Sequence, residues 1–229
     1  MESTKTKLLI TGCPQGGTTY MATVLSKLNI GECGHERVFT AHDRKPGWAD
    51  ARGVPLDMEV SWWGAKYLKG IEDGVVVLHQ TRNPLLQMRS VLERGVPNNR
   101  SHVWDSFPGL RKYQPEKRIT RVCKRSREVF LNYGVAFYYF WNRSIDSSGK
   151  IRFRYRVEDV SVDLVKRILS AIDEEVPDYL IEDALFTTPD HCNTNFHDKE
   201  PPVVEWEDIE DCDYFPYLKS MAQEYGYLN

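Results

Sequence analysis

A short apolar run, Lys7–Thr11, breaks into Gly12-Cys13-Pro14-Gln15-Gly16-Gly17, and helical spacing follows at once with Met21, Val24, Leu25 and Leu28 on one face. Strand, glycine-rich turn and helix in that order open a nucleotide-binding α/β domain. Gly74-Val75-Val76-Val77-Leu78-His79 reads as a second buried strand, because three consecutive valines suit a parallel sheet covered on both faces. Ile151–Val157 alternates apolar and basic residues, as a strand with one buried face does. Helices are expected over Glu59–Leu68, carrying Trp62, Trp63 and Tyr67, over Leu85–Arg94, over Leu164–Ile172 and over Tyr214–Tyr225. Pro84 stands where a first helical turn tolerates proline. Ile119–Ile145 reads as one or two helices, with Phe137, Tyr138, Tyr139, Phe140 and Trp141 packed against the sheet. Val38–Pro55 reads as a long loop of the kind that forms lids or substrate walls, and Val96–Lys117 as irregular. The alternation predicts an α/β fold: a mostly parallel sheet flanked by helices, in a single domain over residues 1–229.

Net charge bounds the partners. At −3 the chain has no global basic field for nucleic acid or an anionic membrane, so an anionic ligand has to be held by a local site. The five cysteines, Cys13, Cys33, Cys123, Cys192 and Cys212, show no CxxC pair and make a poor disulfide framework. No stretch approaches the roughly 20 apolar residues of a membrane span, and the polar start shows no signal peptide. A cytoplasmic location is the expectation.

Gly12 to Thr19 has the Gly-x4-Gly frame of a P-loop, in which backbone N–H groups wrap an anion and the following helix adds its positive end. Pro14, Gln15, Gly16, Gly17, Thr18 and Thr19 are the candidate binding residues. A kinase loop carries lysine where this chain has Thr18. That lysine counters the charge of a transferred phosphoryl group; a sulfuryl group carries less charge and needs it less. Behind the valine-rich strand, Arg82-Asn83-Pro84 is followed by Ser90, eight residues after Arg82. If Arg82 ends the strand and Ser90 lies two turns into the helix, guanidinium and hydroxyl together suit a phosphate monoester.

With these residues the chain resembles the family of sulfotransferases that use 3′-phosphoadenosine 5′-phosphosulfate (PAPS). Pro14-Gln15-Gly16-Gly17-Thr18-Thr19 looks like the family's 5′-phosphosulfate loop, and Arg82-x-Pro84 with Ser90 like its 3′-phosphate site. Arg154-Tyr155-Arg156-Val157-Glu158-Asp159 is similar to a segment that follows a later strand, which adds Tyr155 to the cofactor-binding candidates. Cys33-Gly34-His35-Glu36 resembles a stretch of tyrosylprotein sulfotransferases, and heparan-type members place a glutamate in the same region. The resemblance implies transfer of a sulfuryl group to a hydroxyl or amine acceptor (small molecule, glycan or peptide), with release of 3′-phosphoadenosine 5′-phosphate (PAP). It implies Glu36 as the general base, with His35 as its rival, since neighbours on an extended segment point opposite ways. It implies no metal.

One departure stands out. The family's loop Lys or Arg is Gln15 here, which supplies no charge. Arg37, Arg44, Lys45 or Lys199 compensates, or the enzyme is slow, or the chain binds nucleotide without catalysis. A P-loop kinase using ATP is the other alternative. His79 reads as a core histidine satisfied by backbone, Trp62 or Trp63 as a wall for adenine or acceptor, and Arg121, Lys124, Arg125 and Arg127 as a solvated helix face. His191, Cys192 and His197 lack the repeated spacing of a zinc site.

Overall fold

The computed structural model describes residues 6–39, 56–94, 124–189 and 203–228. The described parts of Met1–Thr81 and Ile145–Phe196 form one compact unit, and those of Arg82–Ser144 and His197–Asn229 form a second.

The first unit is built on five parallel strands: β1 (Leu8–Gly12), β2 (Cys33–His35), β3 (Met58–Val60), β4 (Val76–Thr81) and β5 (Ile151–Arg156). Their order is β2-β3-β1-β4-β5. β1 is buried along its whole length, as a central parallel strand must be. After β1 the chain forms α1 (Thr18–Ser26), runs to the edge at β2, and returns to β3 beside β1. It then crosses to β4 on the other flank. Beside such a reversal, at the carboxyl ends of the strands, open α/β sheets take their ligands. The glycine-rich turn leaves β1 at that edge.

One face of the sheet carries Leu8, Ile10, Met58, Val60 and Leu78. Against it pack Met21, Val24 and Leu25 of α1, Val165, Ile168 and Leu169 of α4 (Val162–Ser170), and Ile181 and Ala184 of α5 (Asp178–Thr187). Each such side chain contributes about 1.5–3 kcal/mol by leaving water. Ser161 starts α4 by accepting the Leu164 N–H at 3.3 Å, one of the orphan donors of a helix start.

The α/β reading with a parallel sheet holds, with corrections to its parts. Met58–Val60 is a strand, where a helix from Glu59 is expected; a 3-10 helix begins only at Trp62 and runs to Gly70 against β1. Pairing to both β1 and β2 outweighs the local helical pattern there. The valine-rich strand starts at Val76 and extends through Gln80 and Thr81. Most of the Val38–Pro55 loop, and all of Val96–Lys117, lie outside the described residues.

In the second unit, α2 (Pro84–Arg94) starts with Pro84 in its first turn, and Asn83 Oδ1 accepts the Leu85 N–H at 2.9 Å. α3 (Lys124–Asp146) is one helix; its last two residues, Ile145 and Asp146, belong to the first unit. Met88, Phe130, Val135 and Tyr138 share a core with Ile209 and with Leu218 and Met221 of α6 (Phe215–Glu224). In the aromatic run, Phe137, Tyr138 and Trp141 are fully buried, whereas Tyr139 and Phe140 are half-buried and meet Tyr214. Arg127, partly exposed, donates to Asp208 at 3.0 Å and to the Val203 carbonyl at 3.1 Å. Among the described residues no helix is long and apolar enough to cross a membrane.

Candidate functional site

The turn from β1 to α1 is held from behind. Gly16 N–H donates to the Cys13 carbonyl at 2.9 Å, closing the turn on itself. Gly17 stands at the helix start with φ 85, a left-handed conformation that glycine adopts without strain, and no side chain caps the helix there. Gln15 also lies in the left-handed region, at φ 65, where a side chain is uncommon. Pro14 is buried. From β4, Gln80 Nε2 donates to the Gly16 carbonyl at 2.6 Å, and Tyr155 donates its hydroxyl to Gln80 Oε1 at 2.7 Å. Burial holds the Tyr155 phenol well above its ordinary pKa, so it stays a donor. Tyr155 therefore supports the loop through Gln80.

Thr18 and Thr19 open α1, and both hydroxyls meet His35. Thr18 Oγ1 is 3.2 Å from His35 Nε2, and Thr19 Oγ1 is 3.5 Å from it. Glu36 Oε1 lies 3.6 Å from the same nitrogen. The expectation that His35 and Glu36 point opposite ways fails for a backbone reason. β2 ends at His35, and Glu36 takes φ 55, which turns its carboxylate back toward the imidazole. Both side chains are about one-third exposed. Burial lowers the His35 pKa, so the ring is neutral at neutral pH. Burial raises the Glu36 pKa, opposed by a hydrogen bond from Trp62. Trp62 thus bonds the candidate base, and its ring lies 3.9 Å from that of Trp63. A neutral imidazole, a carboxylate with raised proton affinity and two hydroxyls converge at the start of a helix.

Two buried titratable groups lie beyond this cluster. His79 is fully buried, as expected, and it donates through Nδ1 to Asp146 at 2.8 Å. Asp146 also accepts from Arg154 at 3.2 Å. Glu59, in the middle of β3, is a fully buried carboxylate. Its Oε1 accepts the Val38 N–H at 3.2 Å, and the N–H groups of Phe39 and Arg37 also donate to it. Desolvation dominates, and the Glu59 pKa is pushed up to about 7.

The folded state therefore holds this proton more tightly than the unfolded chain, whose glutamate titrates near 4.5. Stability from this group is fully present below about pH 4.5 and is lost as pH rises through about 7. The loss is about 3 kcal/mol. Glu59→Gln carries no such charge, so its melting temperature relative to the native protein is expected to rise between pH 5 and pH 8. An unchanged difference across that window contradicts the assignment.

In the second unit Arg82 Nη1 donates to Ser90 Oγ at 3.4 Å, and Ser90 Oγ donates to the Leu86 carbonyl at 3.2 Å. Tyr138 fixes the Arg82 backbone by donating its hydroxyl to the Arg82 carbonyl at 2.8 Å. β4 ends at Thr81, one residue before Arg82, and Ser90 lies within α2, so the expected pair meets. Both side chains are half-buried.

Of the cations considered for the place of a loop lysine, Arg37 is engaged by Glu32, and Arg44, Lys45 and Lys199 lie outside the described residues. So do His191, Cys192 and His197. Among the described residues no group of three metal-binding side chains gathers. No family model matches the chain, and no curated protein matches it significantly.

Proposed function

We propose that this chain is a PAPS-dependent sulfotransferase. The observation that carries the reading is the meeting of Glu36 and His35 with Thr18 and Thr19 at the start of α1, beside a phosphate-type loop without lysine. The loop suits an anion: no side chain caps α1, and the positive end of the helix lies at the loop. The proposal assigns the 5′-phosphosulfate to Pro14, Gln15, Gly16, Gly17, Thr18 and Thr19, and the 3′-phosphate to Arg82 and Ser90. Bound PAPS supplies the activated sulfuryl group. Glu36 takes the proton of the acceptor hydroxyl or amine, His35 stays neutral beside it, and Trp62 fixes the carboxylate's direction. Positioning supplies much of the acceleration.

The test is transfer of labelled sulfate from PAPS to a panel of phenols, tyrosine peptides and glycans. Labelled product is the expected result, and no product with any acceptor contradicts catalysis. Gln15 supports a second reading, a module that binds nucleotide without transfer, because losing a transition-state donor costs on the order of 10²–10³ in rate. Tight PAP binding without labelled product favours that reading. Arg82→Ala is expected to weaken PAP about 10–100-fold, the worth of a charge-assisted hydrogen bond, read by calorimetry. Unchanged affinity removes Arg82 from the site.

A further inference from the structure

We infer that Glu59 is a positioning residue for Glu36: its carboxylate, buried in β3, gathers the N–H groups of the residues after Glu36 and so sets the turn that presses Glu36 against His35. The inference rests on reading Glu36 as the base. Three bonds tie this turn to β3 and the residue after it. Glu36 N–H donates to the Val60 carbonyl at 3.3 Å, Val38 N–H to Glu59 Oε1 at 3.2 Å, and Ser61 Oγ to the Phe39 carbonyl at 3.1 Å. The N–H groups of Arg37 and Phe39 complete the set around Glu59, a concavity of successive backbone donors closed on an internal anion. Phe39 then stacks on Tyr67 at 5.0 Å, which fixes the far end of the turn.

A buried carboxylate is a costly way to hold a loop, and Glu59 Oε2 has no hydrogen-bond partner among the described residues. An apolar side chain here would fill the core without that cost but would leave the three N–H groups unmet. What the charge adds is a geometry and a field. The charge acting on Glu59 is that of Glu36, and burial, helped by the Glu59 charge, pushes the Cys33 thiol on β2 up to about 12. β1 places the aliphatic Leu9 opposite it, and the 3-10 helix carries Lys66 over the Trp63 ring and the exposed Lys69.

Carbon-13 NMR of protein labelled at the glutamate carboxyls, with Glu36→Gln to assign the Glu36 signal, tests this. The native Glu36 signal is expected to show a main step and a smaller one at the Glu59 midpoint, near pH 7. In Glu59→Gln the smaller step is expected to vanish; in Glu59→Ala, which also removes the acceptor of the three N–H groups, the main midpoint is expected to move down toward the ordinary carboxylate value as Glu36 is released from burial. A single native step, or the native Glu36 midpoint in Glu59→Ala, overturns the inference, since the burial that raises the Glu36 pKa then does not depend on Glu59. If Glu59→Gln does not fold, the native curve decides by itself. PAP calorimetry on the same samples reads the donor site separately: a native protein that ignores PAP sinks the proposed function, while the two titration curves still judge the coupling.

Discussion

Under the proposed function, Glu36→Gln is expected to lower sulfuryl transfer by about 10²–10⁴-fold, the range that a positioned general base supplies. PAP affinity stays as it is, because the loop and Arg82 are untouched. The expectation follows from where Glu36 sits. Its carboxylate stands 3.6 Å from His35, whose imidazole meets both threonine hydroxyls at the start of α1. Burial raises its proton affinity, which brings a base nearer to working pH. A base acts when unprotonated, so turnover rises with pH through the raised Glu36 midpoint, and that limb disappears in the glutamine variant. His35 shifts the opposite way: burial lowers its pKa, so it is neutral at neutral pH. If His35→Ala abolishes transfer while Glu36→Gln leaves it intact, the roles are reversed.

Gly12→Ala is the substitution with the largest expected effect on folding. Gly12 ends the central strand opposite Gln80 of β4, and a methyl group there falls on the Gln80 carbonyl oxygen. The obstructing atoms are backbone, which cannot swing aside as a side chain can. Moving β4 also disturbs the Gln80 side chain that holds the Gly16 carbonyl at 2.6 Å. The expected loss is about 3 kcal/mol, or about 6–12 °C in Tm for a chain of this size. Gly70→Ala is the control, since nothing lies within 4 Å of a methyl group at that position. Equal melting temperatures for the two variants contradict the close approach.

The central fold is legible in the chain because its signals are strong and local. An apolar run, a glycine-rich turn and an amphipathic helix specify β1 and α1, and the valines specify most of β4. β2 and β3 are not legible, because three residues carry no period, and their strand character comes from pairing with one another and with β1. α5 escapes for a related reason. Ile181 and Ala184 are buried while Tyr179, Leu180 and Phe186 are exposed, so apolar residues fall on both its faces.

At the site, residue type points to Glu36, His35, the threonines, Arg82 and Ser90. It does not point to the left-handed turn at Glu36, since a non-glycine residue with positive φ is set by its surroundings: here the bonds to Val60, Glu59 and Ser61. Gln80 left a faint signal. It is a polar residue inside a buried strand, and such a group has to find partners; its partners, Gly16 and Tyr155, are 64 and 75 residues away in sequence.

Calorimetric titration of the native protein with PAP, beside ATP with magnesium, tests the proposed function most directly. Selective binding of PAP is the predicted result. No heat with PAP, or a preference for ATP with magnesium, would contradict the assignment of the loop to a sulfuryl donor.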